Sequence, residues 1–215
     1  MIRIIPAGAC ACLLIILLAF CGCTGVPGYS TPTPTPTPSA PQTEVQTTIV
    51  TPTPAYQDAD FLLVYQASRP RITDLSGKVD IALAKIQGVS VVSPTWSALS
   101  SKSGDLANAI TNDSRNLSMY SNFQDPANTR LQSSYLGFLS KLNDVATDLR
   151  DGAKSAENND FNSALASFEA AQTGLDSITY TPTNDQMAVI EEMKIHLNRV
   201  IGVVKQKIAN AGAAT

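Results

Sequence analysis

The chain predicts an all-α fold: an antiparallel bundle of four or five helices preceded by a disordered, extended Thr/Pro-rich stalk. Three observations carry that prediction. From Gln57 onward, apolar residues recur at alternating steps of three and four, the period of one helix face. No stretch there shows the apolar–polar alternation of a half-buried strand. Ahead of it, Thr-Pro repeats at 31–38 and 51–54 remove amide donors and keep each preceding residue out of the helical region. The bounds that follow are 1–23 for an export leader, 24–56 for an extended linker and 57–212 for the bundle. Roughly 160 residues are enough to close one hydrophobic core.

The leader opens with Met1-Ile2-Arg3, continues as an apolar run from Ile4 to Phe20 and ends in Cys21-Gly22-Cys23. One positive charge, a hydrophobic stretch and small residues at its end are the parts of a secretory signal. The run is also close to the shortest membrane span, so a retained anchor is the alternative to cleavage. In both cases Arg3 favours a cytoplasmic N-terminus and an external domain. The segment Leu18-Ala19-Phe20-Cys21-Gly22-Cys23 resembles the lipobox of prokaryotic lipoproteins. That resemblance implies a lipid-modified cysteine, Cys23 with Gly22 before it, or Cys21 as the alternative. Together with the Thr-Pro stalk, residues 1 to about 55 look like the start of an archaeal cell-surface lipoprotein. The 24 residues from Thr31 to Pro54 reach about 75 Å at ~3.1 Å per residue, and their threonines suit O-glycosylation.

The first helical stripe runs through Phe61, Tyr65, Ser68, Ile72, Leu75, Val79, Ala82 and Ile86 and ends at Gly88. Pro70 faces away from it, which allows either one kinked helix or two short ones restarting near Ser68. Ser93 is expected to cap the second helix, with Pro94 in its first turn. That helix has a weaker stripe of Trp96, Leu99, Ser103, Leu106, Ile110, Asp113, Leu117 and Tyr120. Polar Ser103 and Asp113 on its inner side predict either a less buried element or one that borders a groove, and that groove is the first place to look for a ligand or partner. The third helix starts at Asp125-Pro126 and buries Leu131, Tyr135, Phe138, Leu142, Val145 and Leu149, with Leu136, Leu139 and Ala146 widening the face.

Asn158-Asn159-Asp160 predicts a tight turn into a shorter fourth helix with Phe161, Leu165, Phe168, Ala171, Leu175 and Ile178 inward. Thr181-Pro182 stops it, and Thr183 or Asp185 opens the fifth. There Ile190, Met193, Leu197, Val200, Ile201, Val204 and Ile208 share a face. Asn159-Asp160-Phe161 with Ala164, Phe168 and Ala171 resembles the second helix of a tetratricopeptide repeat, over 142–178. A 34-residue shift fails to reproduce the pattern, so the resemblance implies a single helical hairpin rather than an array.

All four cysteines lie in the first 23 residues, so the bundle carries neither a disulfide nor a thiolate metal site. Removing Arg3 with the leader leaves 14 basic against 18 acidic residues. The basic residues are scattered, nowhere more than two together, which argues against nucleic acid. His196 is the lone histidine, four residues from Glu192, and excludes Glu-x-x-His pairs and His-Glu-x-x-His sites. It is expected at a solvated rim. Asp144, Asp148 and Asp151, interleaved with Lys141 and Arg150, are expected to form an exposed, charge-balanced face. No Gly-x-Ser-x-Gly, Ser-x-x-Lys or phosphate-binding glycine motif occurs. Two sequons place N-glycosylation acceptors at Asn112 and Asn116, one turn apart. The functional expectation is a non-enzymatic, membrane-tethered extracellular module without cofactor or metal. It would meet the membrane through its N-terminal lipid or anchor and then a protein or envelope partner. The alternative is an extracellular sensor or small-ligand-capture bundle working with a separate membrane partner.

Overall fold

The computed structural model describes residues 55–213. Cys21, Cys23, the leader and nearly all of the stalk lie outside the described residues. Five helices account for most of the rest: α1 Asp58–Ala84, α2 Ser93–Ser118, α3 Pro126–Glu157, α4 Phe161–Asp176 and α5 Asn184–Gly212. There is no strand among the described residues, and none of these helices is long and apolar enough to cross a membrane.

Each helix packs chiefly against its two neighbours in chain order, and α5 closes the circuit onto α1. Consecutive pairs are antiparallel. Ser93 meets Glu157 at one end of α2 and α3, while the Gln132 amide reaches the Leu117 and Tyr120 carbonyls at the other. With an odd number of helices, alternation cannot close without one parallel pair. That pair is α1–α5: Gln186 Nε2 donates to the Arg69 carbonyl (3.2 Å), and ten residues on His196 meets Asp80.

The inner stripes fill the core. Phe61, Ile72, Val79, Leu83, Trp96, Leu99, Tyr135, Leu142, Phe168, Met193 and Val200 are all buried. Leu75, Leu131, Phe161, Leu165 and Ile208, expected inside, are only half-buried and pack against the core edge. They lie at the margins of stripes whose centres already meet two neighbours. Phe161 instead lies beneath the Lys207 ammonium, 5.1 Å from its ring centroid.

The helix boundaries follow local chemistry. Asp125, Asp160 and Thr183 accept from the Ala127, Ser163 and Gln186 amides at 2.8, 3.1 and 3.2 Å. Asn159 supplies the left-handed residue of the α3–α4 turn, with φ 61°. Two expectations change. The chain stays one helix through Pro70, whose ring faces solvent, so the two-helix alternative is not realised. Ser93 does not cap α2 but is its first residue, following Val92, and its hydroxyl reaches Glu157 Oε1 instead (3.3 Å).

At the entry to the bundle, the Asp58 carboxylate accepts from the Gln124 and Asp125 amides and from Asn128 Nδ2, at 2.8, 3.2 and 2.7 Å. The Gln57 amide donates to the Asn122 carbonyl (2.9 Å). The start of α1 is thereby fastened to the α2–α3 connection, and those bonds, led by the Gln124 amide, hold the Asp58 carboxyl below its usual range.

Close packing of α3 on α4 depends on two glycines. A Cβ on Gly152 would come within 2.8 Å of the buried Phe168 ring, and one on Gly174 within 2.7 Å of Val145 Cγ2. Gly137, on the outer side of α3, has open space around it. Gly152→Ala is expected to destabilise the protein by about 1–2 kcal/mol, since overpacking outweighs the gain in helix propensity. Gly137→Ala is expected to stabilise it by about 0.5–1 kcal/mol. Urea unfolding followed by circular dichroism separates the two signs.

Candidate functional site

The polar residues on the inner stripe of α2 do not line a groove. Asp113 is 1% exposed, and α2 buries a continuous face from Trp96 to Leu117 between α1 and α3. The expectation of a less buried helix is therefore overturned, and the reason is that Asp113 is matched by partners. Ser68 on α1 donates to Asp113 Oδ2 (2.6 Å), and the Arg71 guanidinium forms an ion pair with Oδ1. Because the Ser68 proton goes to the carboxylate, the Tyr135 hydroxyl on α3, 2.8 Å away, donates to Ser68 Oγ. A buried carboxylate is thus satisfied from α1, with the cation entering from a side chain 53% exposed, and Tyr135 of α3 reaches it only through Ser68.

This junction extends through aromatic contacts. The Tyr65 and Tyr135 rings meet edge to face at 5.0 Å, and the Arg69 guanidinium lies 4.8 Å from the Tyr65 centroid. Burial pushes the Tyr135 phenol up to about 12 and raises that of Tyr65 as well. Ser103 is a different case. Its hydroxyl is fully buried and finds no hydrogen-bond partner among the described residues.

A groove does run beside α2, but it is formed by the residues next to the stripe. Pro94, Thr95, Ala98 and Lys102 of α2 face Lys78, Ile81 and Ala82 of α1, and Lys85 just after it, across a depression of about 380 Å³. Its floor is apolar. Three lysines and no acidic residue line it, in a chain with more acidic than basic residues. Lys78 pairs with Asp74 one turn back (2.7 Å), and Lys102 has a long contact to Asp105 (3.4 Å). The Lys85 ammonium has no ion-pair partner among the described residues. Ile81, 57% exposed, stands between Lys78 on α1 and Lys85, the residue that ends it. The spacing of these three residues is legible in the sequence; their meeting with Lys102 is not.

The remaining singled-out residues fall in separate places. His196 sits at the α1–α5 rim with Nδ1 2.7 Å from Asp80 Oδ1; a carboxylate only accepts, so Nδ1 carries the hydrogen. Asp144 and Asp151 are exposed and Asp151 pairs with Arg150 Nε (2.9 Å), but Asp148 is half-buried. Burial, and then its neighbours Asp144 and Asp151, raise the Asp148 carboxyl, so the face is not evenly balanced. Among the described residues, no three His, Cys, Asp or Glu side chains converge on a metal position. Asn112 and Asn116 are both exposed on α2.

Two measurements test the junction. Asp113→Ala is expected to cost about 2–3 kcal/mol, while Ser103→Ala, which removes an unmatched hydroxyl, is expected to be neutral or stabilising. Chemical denaturation of both variants checks the contrast. The Tyr135 phenol ionises near 10 when unfolded and near 12 when folded, so the unfolded chain releases its proton first. Its contribution is fully present below pH 10 and is lost as pH rises toward about 12. Stability measured across that window should fall, and Tyr135→Phe should reduce the slope by about one proton.

Comparison with protein-family models, with curated proteins and with solved structures finds no match to this chain, so the functional reading comes from its own side chains.

Proposed function

We propose that this protein is a non-enzymatic, membrane-tethered extracellular module whose helical bundle binds a protein or envelope partner through its surface. The observation that carries the reading is the lysine-rimmed apolar groove between α1 and α2. A depression with an apolar floor and a few convergent charges is a recognition surface. Its position supports the same reading. The described chain enters beside the α2–α3 connection, where Asn122 Nδ2 donates to the Ala55 carbonyl (3.0 Å). Lys78 lies 20 residues further along α1, about 30 Å at 1.5 Å per residue. A lipid at Cys23 (or Cys21) and a stalk ahead of Ala55 would therefore leave the groove at the end of the bundle remote from its attachment.

Capture of a solute between the helices fits less well. That function calls for an enclosed space, whereas the inner positions of all five helices are filled by packed side chains. The reading has no catalytic step, and it keeps Asn112 and Asn116 as proposed glycan acceptors on the outer side of α2.

Intact mass spectrometry of the chain extracted from its native membrane tests the tether. The expected mass starts at Cys23 and carries lipid, with hexose increments if the stalk, Asn112 or Asn116 is glycosylated. A chain cleaved without lipid would remove the tethered-module reading. Crosslinking on intact cells tests binding, and recovery of the chain only as an uncrosslinked monomer would count against it.

A further inference from the structure

We propose that the α1/α2 groove is the docking site for an acidic amphipathic helix of a partner protein. This rests on the binding-module reading and names the partner chemistry of the same site. Charge complementarity is the first argument. Lys78, Lys85 and Lys102 converge on the groove without a carboxylate in its lining, although the chain as a whole has 18 acidic and 15 basic residues. The two existing pairs, to Asp74 and Asp105, lie at exposed side chains. Such surface pairs are weak and are readily exchanged for a partner's carboxylates.

Spacing is the second argument. Lys78 and Lys85 are seven residues apart, two helical turns or about 10 Å, with Ile81 between them. α1 and its C-terminal cap Lys85, still in helical conformation, therefore present charge, apolar side chain, charge along one ridge, and Lys102 stands across the groove. A helix lying in the groove matches this with carboxylates two turns apart and a leucine-type side chain between them. Ala82 and Ala98 keep the floor shallow enough for such a helix to approach. An amphiphile with a single carboxylate would match one ammonium and leave the others unmatched. A bilayer is flat, whereas this surface is a depression between two helices.

The test uses the full-length chain in nanodiscs of zwitterionic lipid. The probe is a fluorescent helical peptide of about 15 residues, with Glu at i and i+7 flanking a leucine. Fluorescence anisotropy should show micromolar binding that weakens with added salt. Binding should drop about tenfold or more in Lys78→Glu/Lys85→Glu and in Ile81→Asp. These positions are exposed, and circular dichroism confirms that the variants keep their helices. No binding, equal binding by the variants, or displacement of the peptide by laurate or by phosphatidylglycerol vesicles would overturn the proposal. In cells, a photocrosslinking residue replaces Ile81 or, separately, Ile195 on the outer side of α5. A partner captured at Ile195 alone overturns the groove but leaves the binding module standing. Capture at neither position overturns both. Capture at Ile81 through a segment mapped as an acidic helix supports the proposal.

Discussion

The Asp113 carboxylate is the constraint on which the arrangement of α1, α2 and α3 depends. An isolated charge in a protein interior costs several kcal/mol even after relaxation, so it must be matched where it lies. Ser68 and Arg71 match it from α1, and Tyr135 completes the chain of hydrogen bonds from α3. A hydrophobic stripe alone tolerates sliding, because one leucine fills a gap much as another does. A buried carboxylate does not. Moving α1 by one turn would leave Asp113 without its hydroxyl and its cation.

The same register builds the groove. Ten residues along α1 from Ser68 and eleven back along α2 from Asp113, Lys78 and Lys102 come level across the two helices. The polar junction and the cationic groove are thus two consequences of one alignment, one facing the interior and the other facing solvent. The first is a satisfied internal network whose role is to position helices. The second keeps an ammonium at Lys85 and an exposed isoleucine beside it, groups that gain from meeting a partner.

Closure of a five-helix circuit imposes a further condition. Four antiparallel contacts leave α5 parallel to α1, so their peptide dipoles point the same way and do not attract. Specific side-chain bonds mark that seam: Gln186 on the Arg69 carbonyl near the start of α5, and His196 against Asp80 further along. The α3–α4 hairpin is held differently, by backbone approach over Gly152 and Gly174. Periodicity located the apolar side chains of that hairpin but not the glycines, because a missing side chain leaves no mark in an apolar pattern.

By itself, the sequence determined an all-helical bundle of four or five helices, most of their buried faces, the cap at Asp125, the turn at 158–160 and a start of the last helix at Thr183 or Asp185. These depend on a three-four period and on side chains bonding to backbone a few residues away, which are local matters. Half of the groove was also legible, since Lys78, Ile81 and Lys85 share a face of one helix. Only the tertiary structure decided that Asp113 is enclosed rather than open to a groove. Its burial depends on Ser68, 45 residues away in the chain, and on Tyr135, 67 residues from Ser68. Tertiary structure likewise brought Lys102 to lysines on another helix, making a cationic site from residues scattered in the sequence. Helix periodicity records which way a residue faces, but not what the facing helix carries, and charge recognition depends on both.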